Sequence, residues 1–313
     1  MDSRFVLRAT PTYSRGEWFI QGQGELVANN DQSSTRTNRT VDTDDLWVRI
    51  GQWNNWDVQL GRYEAWELYH FGMGLDLNTF ERQGATVEAI AAPQIYGVTY
   101  GFYRSTVGNV GFHVYPTEFV RFELLGQAGV GDILTTAGGR GTGILDFGWV
   151  KFKVGGEYRK EVGKREGFPE EYERRGSGAG VQFVLAPYVE FGASGAYGLT
   201  DHVDFNGNTD FKGSYTTYSY GGFANVSILE DLLFGVGAHY TWLEDINAES
   251  DTGRVGEFDH LQTFAAIQYA VFSQFYVKLV GSYAKARLAP TFTEIPPYDN
   301  SMISGRLRVS VFF

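Results

Sequence analysis

The stretch 303–313, ISGRLRVSVFF, alternates residue by residue. Ile303, Gly305, Leu307, Val309, Val311 and Phe313 share one parity, and Ser304, Arg306, Arg308 and Ser310 share the other. Only an extended strand sends successive side chains to opposite faces, so a strict period of two predicts a strand with one apolar and one polar face. The same reading extends backwards along the chain. In 273–288, Phe275, Val277, Leu279 and Tyr283 oppose Lys278 and Ser282, and in 232–243, Phe234, Val236, Ala238, Tyr240 and Trp242 oppose Gly235, Gly237, His239 and Thr241. Residues 149–160 set Val150, Phe152, Val154 and Tyr158 against Lys151, Lys153, Glu157 and Arg159, and 119–131 set Val120, Phe122, Leu124 and Val130 against Arg121, Glu123 and Gln127.

A half-buried sheet in water hides its apolar face in a core. Here that face carries Tyr, Trp and Phe toward the segment ends, the placement expected where strands cross a membrane and aromatic rings sit at its two interfaces. Composition agrees. The 313 residues include 40 glycines and 16% aromatics, yet only 43% are hydrophobic, and mean hydropathy is -0.24. No apolar run reaches the roughly 18 residues of a membrane helix, whereas a barrel strand exposes only every second residue to lipid.

The connections carry an independent signal, alternating between tight and long. Tight candidates are Asn54-Asn55, 91–94, Thr117-Glu118, Ala186-Pro187, 229–232 and 271–273. Long polar ones are 31–43, 71–81, 161–173, 200–214, 244–257 and 289–300. Outer-membrane barrels pair short periplasmic turns with long outer loops in this way. The expectation is therefore one domain, 1–313: an all-β, transmembrane, antiparallel up-and-down β-barrel in the bacterial outer membrane. Seventeen segments fit, running from 4–14 through 56–69, 82–91, 95–105 and 140–147 to 301–313. Single-chain bacterial barrels hold even numbers, so either 4–14 is no true strand, giving about 16, or one more strand gives 18. Strand-like sequence begins at residue 4, which predicts a mature chain whose targeting segment has been removed.

The final GRLRVSVFF resembles the C-terminal assembly signal of outer-membrane β-barrel proteins, which implies that Phe313 is read by the barrel-assembly machinery. The stretch 44–82 is similar to a bacterial porin hairpin, with Val48-Arg49-Ile50-Gly51 and Leu60-Gly61-Arg62 in the matching places. That resemblance makes 71–81 the candidate pore-restricting loop, although it is short and lacks a PEF-like element. Barrels that export polysaccharide share such hairpins.

With the apolar face on lipid, the opposite parity lines the interior. Basic candidates there are Arg49, Arg121, Lys151, Lys153, Arg159, Lys278, Arg306 and Arg308, and acidic ones are Glu123, Glu157 and Glu190; Arg8, Glu25, Asp57 and Glu88 share that face. A charge facing lipid near the midplane would cost about 2–4 kcal/mol, so this segregation has physical force. The interior tilts basic while the chain carries -11, which places the surplus acid in the loops. Rings of charge set pore selectivity, and the same charges could instead pair and brace the wall.

His113, His239 and His260 fall on the interior parity. Asp201-His202 at a loop mouth is the one candidate for acid–base chemistry, with a charged loop as the plainer reading. GGRGTG at 138–143 lacks a phosphate-loop lysine and reads as a turn. The absence of cysteine excludes disulfides and thiolate metal sites, and the negative charge argues against nucleic acid. No metal or other cofactor is expected. Expected surroundings are outer-membrane lipid and lipopolysaccharide. The leading reading is a porin-like, non-enzymatic channel for polar solutes, anionic or sugar-like. The alternatives are the outlet of a polysaccharide secretion system working with periplasmic export partners, a rim enzyme, and a structural or adhesion barrel. Neither monomer nor trimer is favoured.

Overall fold

In the computed structural model the described residues are 3–33, 36–63, 65–66, 108–130, 134–165, 168–185, 188–206, 209–249, 257–289 and 298–311. Among them the chain is all strand and turn. The strands are β1 Ser3–Ala9, β2 Thr12–Arg15, β3 Trp18–Ser33, β4 Arg36–Gln52, β5 Trp56–Arg62, β6 Gly108–Thr117, β7 Val120–Val130 and β8 Leu134–Asp146. They continue as β9 Val150–Arg165, β10 Phe168–Leu185, β11 Val189–Asn206, β12 Thr209–Leu229, β13 Leu232–Glu249, β14 Glu257–Phe272, β15 Phe275–Ala289 and β16 Tyr298–Val311. From β3 onward each pairs antiparallel with its neighbour in chain order.

β1 and β2 both pair with β3, end to end, on either side of Thr10-Pro11. Proline has no backbone N–H to donate to a ladder, so one strand is written as two, and the sheet order holds fifteen places. Segment 4–14 is strand, as in the seventeen-segment reading, and the alternative that drops it from the count is overturned. Predicted strands 82–91 and 95–105 lie outside the described residues. β5 pairs directly with β6, Trp56 opposite Val114 and Gly61 opposite Asn109. With fifteen alternating places, β1 and β16 run the same way, and among the described residues they do not pair with each other.

The alternating parity resolves into two faces. Outward positions are apolar and bare: Leu124 is 62% and Ile303 84% exposed. Aromatic rings collect at two levels on this exterior. Near the tight turns lie Trp18 and Trp56 in edge contact, stacked Phe119 and Phe147, and stacked Phe272 and Phe275. Toward the other end Tyr197, Tyr218 and Trp242 touch in succession, with Tyr220 on Tyr240. Along β12 these belts are separated by the stretch from Tyr218 to Ile228, close to the 9–11 tilted residues that cross a bilayer. Lys160, Arg175, Arg287 and Lys285 stand at or just past the second belt, each in an ion pair: Lys160 with Glu171, Arg175 with Glu173 and Asp201, Arg287 with Asp259, and Lys285 with Asp299.

The described tight turns, at Asn54-Asn55, Thr117-Glu118, 229–232 and 271–273, are as short as expected, while 91–94 and Ala186-Pro187 lie outside the described residues. Asn54 takes φ 59 and Gly148 φ 81, the left-handed region that Asn and Gly tolerate best. Three of the predicted long loops are different in kind, while 250–256 and 290–297 of two others lie outside the described residues. Segments 31–43, 161–173 and 200–214 are mostly paired strand: Ser33 pairs with Arg36, Arg165 with Phe168, and Asn206 with Thr209. Polar sequence was read as loop because period-two alternation fades once both faces meet water. Backbone pairing continues there, so the ribbons project beyond the membrane. Segment 71–81 lies outside the described residues.

Candidate functional site

β5 is short, and its end decides the interior. Gly61 has φ +132, and a side chain there would run into the backbone of Leu46 and Trp47. Only glycine accepts both demands. The strand stops at Arg62, not at 69 as the alternation predicts, and the chain turns off the wall. Tyr63 lays its ring over Gly111 of β6, while Asn109 donates to the Tyr63 carbonyl at 2.8 Å and is held by Gln127 at 2.9 Å. Tyr63 and Leu125 form a buried cluster, with Ala65 and Trp47 against it.

Trp66 is the last described residue of this strap, and its peptide group is held from both sides. Its N–H donates to both oxygens of Glu123, at 3.0 and 3.2 Å. Arg140 of β8 donates to its carbonyl. The indole stacks on His113 at 5.0 Å with the planes 18° apart. His113 sits between two carboxylates, with Nδ1 2.6 Å from Asp57 Oδ1 and Nε2 3.2 Å from Glu123 Oε2. Arg49 donates to the other oxygen of Asp57 at 2.5 Å and to the Tyr115 hydroxyl at 3.0 Å, and Tyr115 donates to Asp57 at 3.1 Å. A chain of polar contacts therefore crosses β4 to β8. Asp57, His113 and Glu123 are each buried to 2% exposure or less, a burial that charged groups tolerate only when paired.

The wall continues across β8 to β10. Asp146 takes both Arg121, at 3.2 Å, and Lys151, at 3.5 Å. Glu161 takes both Arg159, at 2.6 Å, and Arg174, at 3.7 Å, and Arg140 reaches Glu157 at 3.9 Å. Lys153 is buried on the same face. Two carboxylates thus serve two cations each, which leaves this wall basic. On the opposite side, β11 to β15 present Thr200, Thr217, Gln262 and Ser282, with Ser219 and Thr241 joined at 2.8 Å. Phe264, Ala266 and Val280 form an apolar patch among them.

Of the expected interior residues, Arg49, Arg121, Lys151, Lys153, Arg159, Glu123 and Glu157 belong to the charged wall. Glu190 sits apart, accepting from Gln182. Lys278 lies in register with Gln268 and Arg308, and Arg306 with Val280, on the interior parity; the side chains of Arg306 and Arg308, and Phe313 entirely, lie outside the described residues. Asp201 turns outward to Arg175. Residues 201 and 202 are consecutive in β11, and the His202 side chain lies outside the described residues. GGRGTG is part of β8, not a turn: Gly139, Gly141 and Gly143 take the outward parity, and Arg140 and Thr142 the inward one. Among the described residues no group of acidic and His side chains could hold a metal ion.

No family model and no curated protein matches the chain. Solved structures do. OmpT, an outer-membrane protein of Vibrio cholerae, folded in vitro, superposes with a TM-score of 0.61 at 11% identity, covering 98% of this chain and 95% of that one. The outer-membrane channel DcaP of Acinetobacter baumannii gives 0.61 at 11% identity over 98% and 84%. The anion-selective porin from Comamonas acidovorans gives 0.60 at 12% over 99% and 89%. At such identities the likeness is one of fold. The fold is that of the outer-membrane β-barrel porins, and the apolar exterior with its two aromatic belts is a surface made for that membrane.

Proposed function

We propose that this chain is a passive outer-membrane channel for polar solutes, with a preference for small anions. The observation that carries the reading is the basic wall of β8 to β10, where Asp146 and Glu161 are each shared by two cations. Fixed charge on a pore wall selects the counter-ion, and about sixteen strands enclose room for water where about eight are packed solid. No bond is made or broken in this role. Tyr63, Ala65 and Trp66 of the strap narrow the lumen from the β6–β8 side. Solutes then pass between them and the hydroxyl- and amide-rich wall of β11 to β15. The similarly folded Comamonas acidovorans protein, described as anion-selective, agrees with this reading. Phe313 is proposed as the mark for the assembly machinery, and the ion-paired rim at and just past the outer aromatic belt as the level of lipopolysaccharide head groups.

The test is the reversal potential across a planar bilayer under a potassium chloride gradient. The expected sign is that of chloride preference, and Lys151→Glu with Arg174→Glu shifts it toward potassium. A potassium-selective wild type would overturn the assignment. Block by an acidic polysaccharide, but not by small sugars or anions, would move the function to export.

A further inference from the structure

The contacts at Trp66 have a requirement that the channel reading alone does not impose. Both ring nitrogens of His113 face carboxylate oxygens. A neutral imidazole has one N–H and one lone pair, whereas the imidazolium donates from both nitrogens. Only the cation can satisfy Asp57 and Glu123 together. When it loses a proton, one buried carboxylate faces a lone pair, and a buried charge without a partner is costly. The Glu123 contact is the longer of the two, and Asp57 keeps Arg49 and Tyr115. Glu123 is therefore the group released. It is also the group that holds the Trp66 N–H.

We propose that His113 is a positioning residue for the strap: as an imidazolium it ties Asp57 on β5 to Glu123 on β7, so that the Trp66 peptide stays clasped over the β6–β8 wall only while the ring carries both protons. The groups that face His113 are Asp57 from β5, Glu123 from β7, and Trp66 and Tyr63 from the strap. Arg49 of β4 and Tyr115 stand behind Asp57, and Arg140 of β8 holds the far side of Trp66. Arg140 keeps its hold when Glu123 lets go, so the strap shifts on a remaining tether. Raising the pH loosens it, and lowering the pH back toward neutral restores it.

The inference rests on the channel reading only for its consequence, and two readouts separate them. Nitroxide labels placed by Ala65→Cys and Leu125→Cys, in a chain without native cysteine, report strap position whether or not the barrel conducts. They are expected close at neutral pH and farther apart at alkaline pH, with His113→Gln and Glu123→Gln showing a loosened, pH-independent separation. In planar bilayers the wild-type conductance is expected to rise over the same pH range, and that of His113→Gln to be raised and flat. Label separation that ignores pH, or that changes equally in His113→Gln, overturns the proposal. A barrel without conductance but with the pH-dependent separation keeps the latch and sinks the channel. Folding of each variant is checked by heat-modifiable migration of the barrel in gels.

Discussion

Gly61 shows how much a single backbone position can decide. Its φ of +132 and the nearby backbone of Leu46 and Trp47 together end β5 and send the chain inward. Gly61→Ala is expected to cost about 1–3 kcal/mol for the strained backbone alone, with the steric conflict added. The measurement is the urea midpoint of the lipid-embedded barrel, and an unchanged midpoint would show that the turn tolerates a side chain. Arg140→Ala removes the second hand on Trp66 and is expected to raise single-channel conductance, where an unchanged value would contradict the clasp. At this scale the sequence was half legible. Parity alone placed Arg49, Asp57, His113 and Glu123 inside. Arg140 was hidden in GGRGTG, whose glycines look like a turn until their outward parity is noticed, and Trp66 was hidden in a segment read as strand through residue 69. Neither the end of β5 nor a contact 57 residues distant, from Trp66 to Glu123, leaves a periodic trace.

The strands tell a different story in and beyond the membrane. Within it, outward residues are exposed and apolar, so Leu124→Arg is expected to destabilise the barrel by about 2–4 kcal/mol if it lies near the midplane. Tyr158→Arg, at the level of the outer belt, is expected to cost far less; equal costs would misplace the bilayer. Beyond the membrane, β9 and β10 run on as a paired ribbon to Arg165 and Phe168. Replacing 162–171 with a two-residue Asn-Gly turn should leave heat-modifiable migration and conductance intact, because no interior contact of the clasp lies there; loss of the folded form would give the ribbon a structural role. Inside the membrane the alternation predicted the segments of β6, β7 and β9 to β16, while β8 begins at Leu134 where 140 was expected. It failed in the ribbons because a strand wet on both faces has no reason to alternate, and hydrogen-bonded pairing is invisible in composition.

The whole molecule was the most legible level. Period-two faces, alternating connection lengths and aromatic segment ends led to an up-and-down barrel-type sheet with a lipid-facing exterior, and the exterior belts and the register of neighbouring strands agree with it. Among the described residues the count came out at fifteen places, because it depended on Thr10-Pro11 and on the direct β5–β6 pairing, both decided by tertiary contact and not by pattern. The interior is less uniformly basic than its residue types suggest: charges gather on β4 to β10, largely in pairs, and are sparse on β11 to β15, where Glu190 and Lys278 stand apart from that wall. Function follows from whether water fills the space between those walls. Single-channel recording of the purified, refolded chain in a planar bilayer measures that directly. The account predicts discrete, long-lived conductance steps that exceed those of the wild type when His113 or Arg140 is replaced; a folded, inserted barrel that passes no current would contradict it.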